Sequence, residues 1–103
     1  MLKAIKLMSD YGCSPLWAAG DAVGNLELDS LPLSSRLRTA LRVWADSYDR
    51  TLDRDDPRKS GFRSTSDAAA FDAEGRRLLA ELRRELPGTR ISYFSVRDHR
   101  LHD

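Results

Sequence analysis

The chain has 103 residues, 41% of them hydrophobic and 32% charged, with a formal net charge of +1. This is the composition of a single folded domain with one modest core; it excludes a disordered tail, and no apolar run approaches the roughly 18 residues of a membrane span. Arginines are interleaved with acidic residues and form no basic stripe, which argues against generic nucleic-acid binding, and the lone cysteine, Cys13, excludes an intrachain disulfide, a CxxC pair and a multi-cysteine zinc site.

Leu2 to Met8 alternates around Lys6 and reads as a short strand, not as a secretory leader, so the expected compartment is the cytoplasm. Ser9 to Pro15 is rich in turn residues and reads as a loop. Leu16-Trp17 and Val23 to Leu28 fit two short strands of a hairpin around a Gly20-Asp21 turn.

The strongest periodicity follows. Leu37, Leu41, Trp44, Ala45, Tyr48 and Leu52 fall on one helix face, which predicts a helix over roughly Ser35 to Asp53 with Ser34 as N-cap and Leu33 as a staple. Asp55-Asp56-Pro57 breaks it and Ser60-Gly61 turns the chain back. Ser64 with Asp67 three positions on marks a second helix start, and Phe71, Gly75, Leu78, Leu79, Leu82 and Leu86 form its stripe until Pro87-Gly88 stops it. A mid-helix glycine costs about 1 kcal/mol against alanine, so Gly75 implies a close neighbour such as Trp44 or the strand backbone.

Arg90 to Val96 has apolar residues on both faces, as an inner strand should, and is expected beside the first strand. Residues 97–103 are polar and read as a frayed tail. The fold class that follows is α+β: a two-layer sandwich of a small sheet with two amphipathic helices on one face.

Ser9-Asp10-Tyr11-Gly12, Pro15-Leu16-Trp17, Val23-Gly24-Asn25-Leu26, Asp56-Pro57, Ser60-Gly61-Phe62 and Tyr93-Phe94-Ser95 together make a pattern that resembles a family of short bacterial proteins. Some of its members resemble the immunity partners encoded beside secreted polymorphic toxins. The resemblance spans about Lys6 to Ser95 and implies a non-enzymatic protein that neutralises a cognate toxin by binding it. It carries over no catalytic or ligand-binding residue set.

The residues themselves offer few chemical sites. Cys13 has no histidine near it in sequence and reads as a half-buried structural thiol. His99 and His102 have helical i, i+3 spacing but lack the further ligands of a metal site, so no metal or cofactor is expected. Asp53, Asp55 and Asp56 stand among Arg50, Arg54, Arg58 and Lys59 without the glycine and glutamate of a calcium loop. They read as a solvated helix end, or as a docking rim for a charged partner. Tyr11 and Trp17 flank a loop and are suited to anchoring a partner, although Trp17 equally suits closing a core.

The expected partner-binding residues are therefore Asp10, Tyr11, Trp17, Asp55, Asp56, Arg58 and Lys59, on two loops carried by a rigid scaffold. The expected partner is a toxin encoded nearby, with neither nucleic acid nor membrane involved and a homodimer left open. The competing reading is a small enzyme or nucleic-acid-processing factor that uses Asp10, Tyr11 and the Asp53 to Asp56 carboxylates as acid and base groups.

Overall fold

Ile5 and Leu7 are buried on one side of a short strand while Lys6 between them stays half-exposed, and this alternation sets the two faces of the sheet. The computed structural model describes residues 3–20 and 23–103, with the side chain of Lys59 outside the description. Strand β1 (Ala4–Leu7) pairs antiparallel with β2 (Leu16–Ala18), which pairs antiparallel with β3 (Gly24–Asn25). On its other side β1 runs parallel to β4 (Arg90–Ser95), and β5 (Arg100–His102) pairs antiparallel with β4. The result is a five-stranded mixed sheet in the order β3-β2-β1-β4-β5.

A parallel pair needs a long crossover, and here two helices supply it. Helix α1 (Ser35–Asp49) packs on α2 (Thr65–Glu85), and α2 packs on β4. The expected α+β two-layer architecture, with both helices on one face, is the architecture found.

Both helix starts follow from their caps. The Ser34 side chain accepts from Leu37 N, and Ser64 from Asp67 N, each satisfying one of the orphan N–H groups of a first turn. Ser34 is also gripped from α2: its backbone N–H and hydroxyl donate to the two carboxylate oxygens of Glu85 at 2.6 and 2.7 Å. Helix α1 ends four residues earlier than the stripe suggests, at Asp49 and not at Asp53. The reason is local. Thr51 turns its hydroxyl back onto the Tyr48 carbonyl at 2.7 Å, and the Asp53 carboxylate accepts from Asp55 N and Asp56 N, so polar side chains offer the backbone an alternative to the helix ladder.

The core lies between the layers. Ile5, Leu7, Leu16, Ile91 and Tyr93 from the sheet meet Leu37, Leu41 and Trp44 of α1 and Phe71, Leu78 and Leu82 of α2. Gly75 sits where the packing is tightest: a Cβ there would lie 2.6 Å from Tyr93 Oη and 2.7 Å from Trp44 Cζ2. Trp44 is therefore the neighbour that the glycine implied. Its ring also stacks on Phe71 at 4.5 Å, and its indole N–H donates to the Phe71 carbonyl at 3.0 Å.

Two expectations need correction. The second strand of the hairpin is only Gly24–Asn25, and Leu28 begins a 3₁₀ turn (Leu28–Ser30) whose buried leucine joins the core. Asp21 of the expected turn, like Leu2, lies outside the described residues. The tail does not fray as expected: Arg100–His102 is strand β5, reached by a turn in which His99 takes φ 56. Asp98 holds that turn, accepting from Arg100 N at 2.9 Å and meeting His102 Nε2 at 2.9 Å.

Candidate functional site

The loop from Ser9 to Pro15 is clamped on both sides. Toward β3, the Asn25 side chain accepts from Ser14 N and donates to the carbonyls of Ser14 and Leu16. Toward α1, Gly12, in the left-handed region at φ 71, donates its N–H to Asp49 Oδ1 at 3.1 Å. Tyr11 makes the larger contact, with its ring stacked on Tyr48 at 4.5 Å and its hydroxyl 2.9 Å from Thr51 Oγ1. Because the Thr51 proton already points at the Tyr48 carbonyl, Tyr11 is the donor of that bond. Burial, then the neighbouring Tyr11, Asp10 and Asp49, push the Tyr48 phenol up to about 12.

The charged turn after α1 meets the same end of the molecule. Thr51, which holds Tyr11, also accepts from Gly61 N through its carbonyl at 2.9 Å, and Phe62 packs against Tyr48 and Phe71. Loop and turn, remote in sequence, are thus joined through Thr51 and an aromatic row of Tyr11, Tyr48, Phe62 and Phe71. Beside them, between the C-terminal half of α1 and the start of α2, opens a groove of about 790 Å³. Trp44, Leu52, Phe62 and Phe71 line it together with the charged Arg50 and Arg63.

The expected site residues divide by role. Asp10 is exposed, and so are Asp55 and Arg58, which stand on the turn. Asp56 is partly buried and works within the turn, capping the 3₁₀ segment Pro57–Lys59 through Arg58 N and pairing with Arg58 Nε at 3.2 Å. The side chain of Lys59 lies outside the described residues. Tyr11 is half-buried and fastens the loop to the scaffold. Trp17 stands apart: register puts it beside Lys6 and Asn25 on the helix-free face of the sheet, where its indole N–H donates to the Met8 carbonyl at 3.0 Å. The loop therefore straddles the sheet, with Tyr11 on the helix side and Trp17 on the open side.

Sequence reasoning missed the buried polar cluster around Asp72. Its carboxylate accepts from Tyr93 Oη at 2.8 Å, Ser95 Oγ at 2.7 Å and Arg76 Nε at 2.9 Å. Burial alone would raise this carboxyl, but those hydrogen bonds and the Arg76 charge hold it below its ordinary value. The same Arg76 guanidinium lies over the Tyr93 ring at 5.3 Å. A signal was present: Asp72 precedes Gly75 and Arg76 by three and four residues, so an acid sat on the buried stripe with its cation one turn away. Glu81 is similar, buried between Arg36 at 2.8 Å and Arg77 at 2.7 Å. These groups are saturated by one another and hold helix to helix and helix to sheet. Cys13 bonds the Tyr11 carbonyl through Sγ at 3.5 Å, and among the described residues no three His, Cys, Asp or Glu side chains are grouped to hold a metal.

What this arrangement offers is a surface: an apolar groove with a charged rim, beside two clamped loops, on a scaffold in which no helix among the described residues is long and apolar enough to cross a membrane. Curated proteins give no match to the sequence. A family model does match, over residues 3–96, which take in every element from β1 through β4; its description is Serratia CdiI immunity protein-like. The chain belongs to the Serratia CdiI immunity protein-like family.

Proposed function

We propose that the protein neutralises one cognate toxin by binding it directly, in the cytoplasm and without catalysis. The observation that carries this reading is family membership across residues 3–96. An inhibitor of this kind needs shape and charge complementarity and no reacting groups, and the end of the molecule where the two loops meet supplies both: an apolar groove rimmed by charge, as at the centre and edge of a protein interface. Arg50 and Arg63 charge the groove itself, Asp10, Asp55, Asp56 and Arg58 on the neighbouring loop and turn are the further charged groups for the toxin, and Tyr11 fixes the loop that presents Asp10. The toxin is encoded beside this gene.

The test is to produce the toxin domain from the neighbouring reading frame with and without this chain. Growth arrest by the toxin alone, relieved by co-production, and a stable complex of the two on gel filtration are the expected results. Relief without a complex, or turnover of a small molecule by the purified chain, would turn the reading toward an enzyme.

A further inference from the structure

We infer that the helix-free face of the sheet is a second part of the toxin-binding surface, and that the toxin meets it with an acidic patch around an apolar centre. This inference rests on the proposed function. Along the strands the outward positions are Ala4 and Lys6 on β1, Trp17 on β2, Asn25 on β3, Arg90, Ser92 and Phe94 on β4, and Leu101 on β5. None is acidic. Among the described residues neither Lys6 nor Arg90 has an acidic partner, although the helices are rich in ion pairs.

The apolar residues of this face are separate from the core. Val96, Phe62 and Tyr48 are partly buried against the core cluster, whereas Trp17 and Phe94 are partly buried outside it, and Leu101 is 57% exposed. No helix covers them, since both pack on the opposite side. Phe94 and Leu101 are register partners, and the Met8 carbonyl that receives the Trp17 indole continues β1. Two aromatics flanked by cations that have no acidic partner among the described residues are the composition of an interface centre, where buried aromatic and arginine side chains dominate the energy. Continuity favours the same occupant as the loop end, because the loop that bears Asp10 and Tyr11 runs directly into Trp17 on this face.

Charge chooses among occupants. A second copy laid face to face would set Lys6 and Arg90 against like charges with no acid to offset them, so self-association is disfavoured. Single-stranded RNA also stacks on aromatic sheet faces, but a net charge of +1 and two cations neutralise little phosphate. An acidic protein surface fits both the aromatics and the cations.

The experiment is calorimetric titration of the toxin domain into the folded wild-type chain, the Lys6→Glu/Arg90→Glu double variant, Arg90→Glu alone and Leu101→Ser, at two salt concentrations. The two single variants alter exposed side chains and keep the test valid if the double variant misfolds by circular dichroism. The inference expects the double variant to bind about 10-fold or more weakly, with the salt dependence of the wild type flattened, and the single variants to lose a smaller part. Wild-type affinity in folded Arg90→Glu and Leu101→Ser overturns this face while leaving toxin binding intact. No binding by the wild type overturns the function itself. A single-stranded RNA oligomer that the wild type binds and Arg90→Glu does not, or a wild-type dimer in sedimentation that Leu101→Ser dissociates, assigns the face to another occupant and overturns it as well.

Discussion

Tyr93 donates its hydroxyl to Asp72 at 2.8 Å, so the inner strand β4 is tied by a charge-assisted hydrogen bond to the middle of the helix that covers it. The same hydroxyl lies 2.6 Å from where a Gly75 Cβ would stand, and the bond therefore exists only because position 75 has no side chain. Gly75→Ala gains about 1 kcal/mol of helix propensity but forces apart two rings, Tyr93 and Trp44, that are both buried. The overpacking should prevail, with a net loss of about 1–3 kcal/mol in reversible urea unfolding. A variant as stable as the wild type would mean that the rings yield freely.

Trp44→Ala removes the ring that stacks on Phe71 and closes over Gly75. Truncating a buried aromatic of this size costs about 3–5 kcal/mol, a large share of the stability of a small domain. Urea unfolding monitored by circular dichroism measures it, and a cost under about 1 kcal/mol would contradict the ring's place in the core.

The acid limb of stability should follow Asp72. Its folded pKa is held below the ordinary 3.8, so the unfolded chain takes up a proton first as pH falls. The stabilisation is present in full above the unfolded value and is lost as pH drops through the folded one. Glu81, lowered by its hydrogen bond from Arg36 and by the charges of Arg36 and Arg77, adds in the same direction. Asp72→Asn should lower stability at neutral pH by about 1–3 kcal/mol and flatten the decline below pH 4, as read from urea midpoints across the acid range. An unchanged acid limb would show that the cluster is not what titrates.

At the alkaline end the sign reverses in origin but not in outcome. Tyr48 titrates in the folded chain only at about 12, against 10.0 for an ordinary phenol, so between those values the unfolded state releases its proton and the native state does not. Stability should fall as pH rises through that window. Tyr48→Phe should lessen the fall, and in an ultraviolet phenolate titration of the native protein neither Tyr48 nor Tyr93, which burial and its hydrogen bond to Asp72 also push up, should ionise near 10. Three tyrosines titrating together near 10 would contradict this.

Tyr11→Phe tests what holds the loop. The ring stack on Tyr48 survives and only the bond to Thr51 is lost, so the expected cost is about 1 kcal/mol; Tyr11→Ala also loses the stack, worth about 0.5–1.5 kcal/mol more. Hydrogen exchange at Gly12 should quicken in Tyr11→Ala, since its N–H bond to Asp49 depends on the seated loop. Equal exchange in both variants would show that the Asn25 clamp alone suffices.

The helices could be read from sequence because caps and stripe agreed: Ser34 and Ser64 cap the helices as their positions imply, and Leu37, Leu41 and Trp44 are buried as their spacing requires. The neighbouring β1 and β4 were likewise legible, since Ile91 and Tyr93 continue the apolar alternation of Ile5 and Leu7. The C-terminal strand was not, because Arg100 and His102 carry no strand propensity and are held by Asp98 and by the β4 ladder, which are tertiary facts. The two loops could be nominated but not placed. Only the fold brings Tyr11 to Thr51, and only register reveals that Trp17 faces away from Tyr11. The Asp72 cluster joins residues more than twenty positions apart, and the i, i+4 arginine is its sole local trace.

The most direct measurement is the activity of the cognate toxin domain titrated with the purified chain, alongside calorimetry on the same samples. Direct neutralisation predicts that activity falls to zero at a fixed molar ratio matching the calorimetric stoichiometry, and that Asp55→Lys and Asp56→Lys slow association and change its salt dependence while the fold is kept. Full toxin activity in the presence of excess folded chain, with no heat of binding, would contradict it.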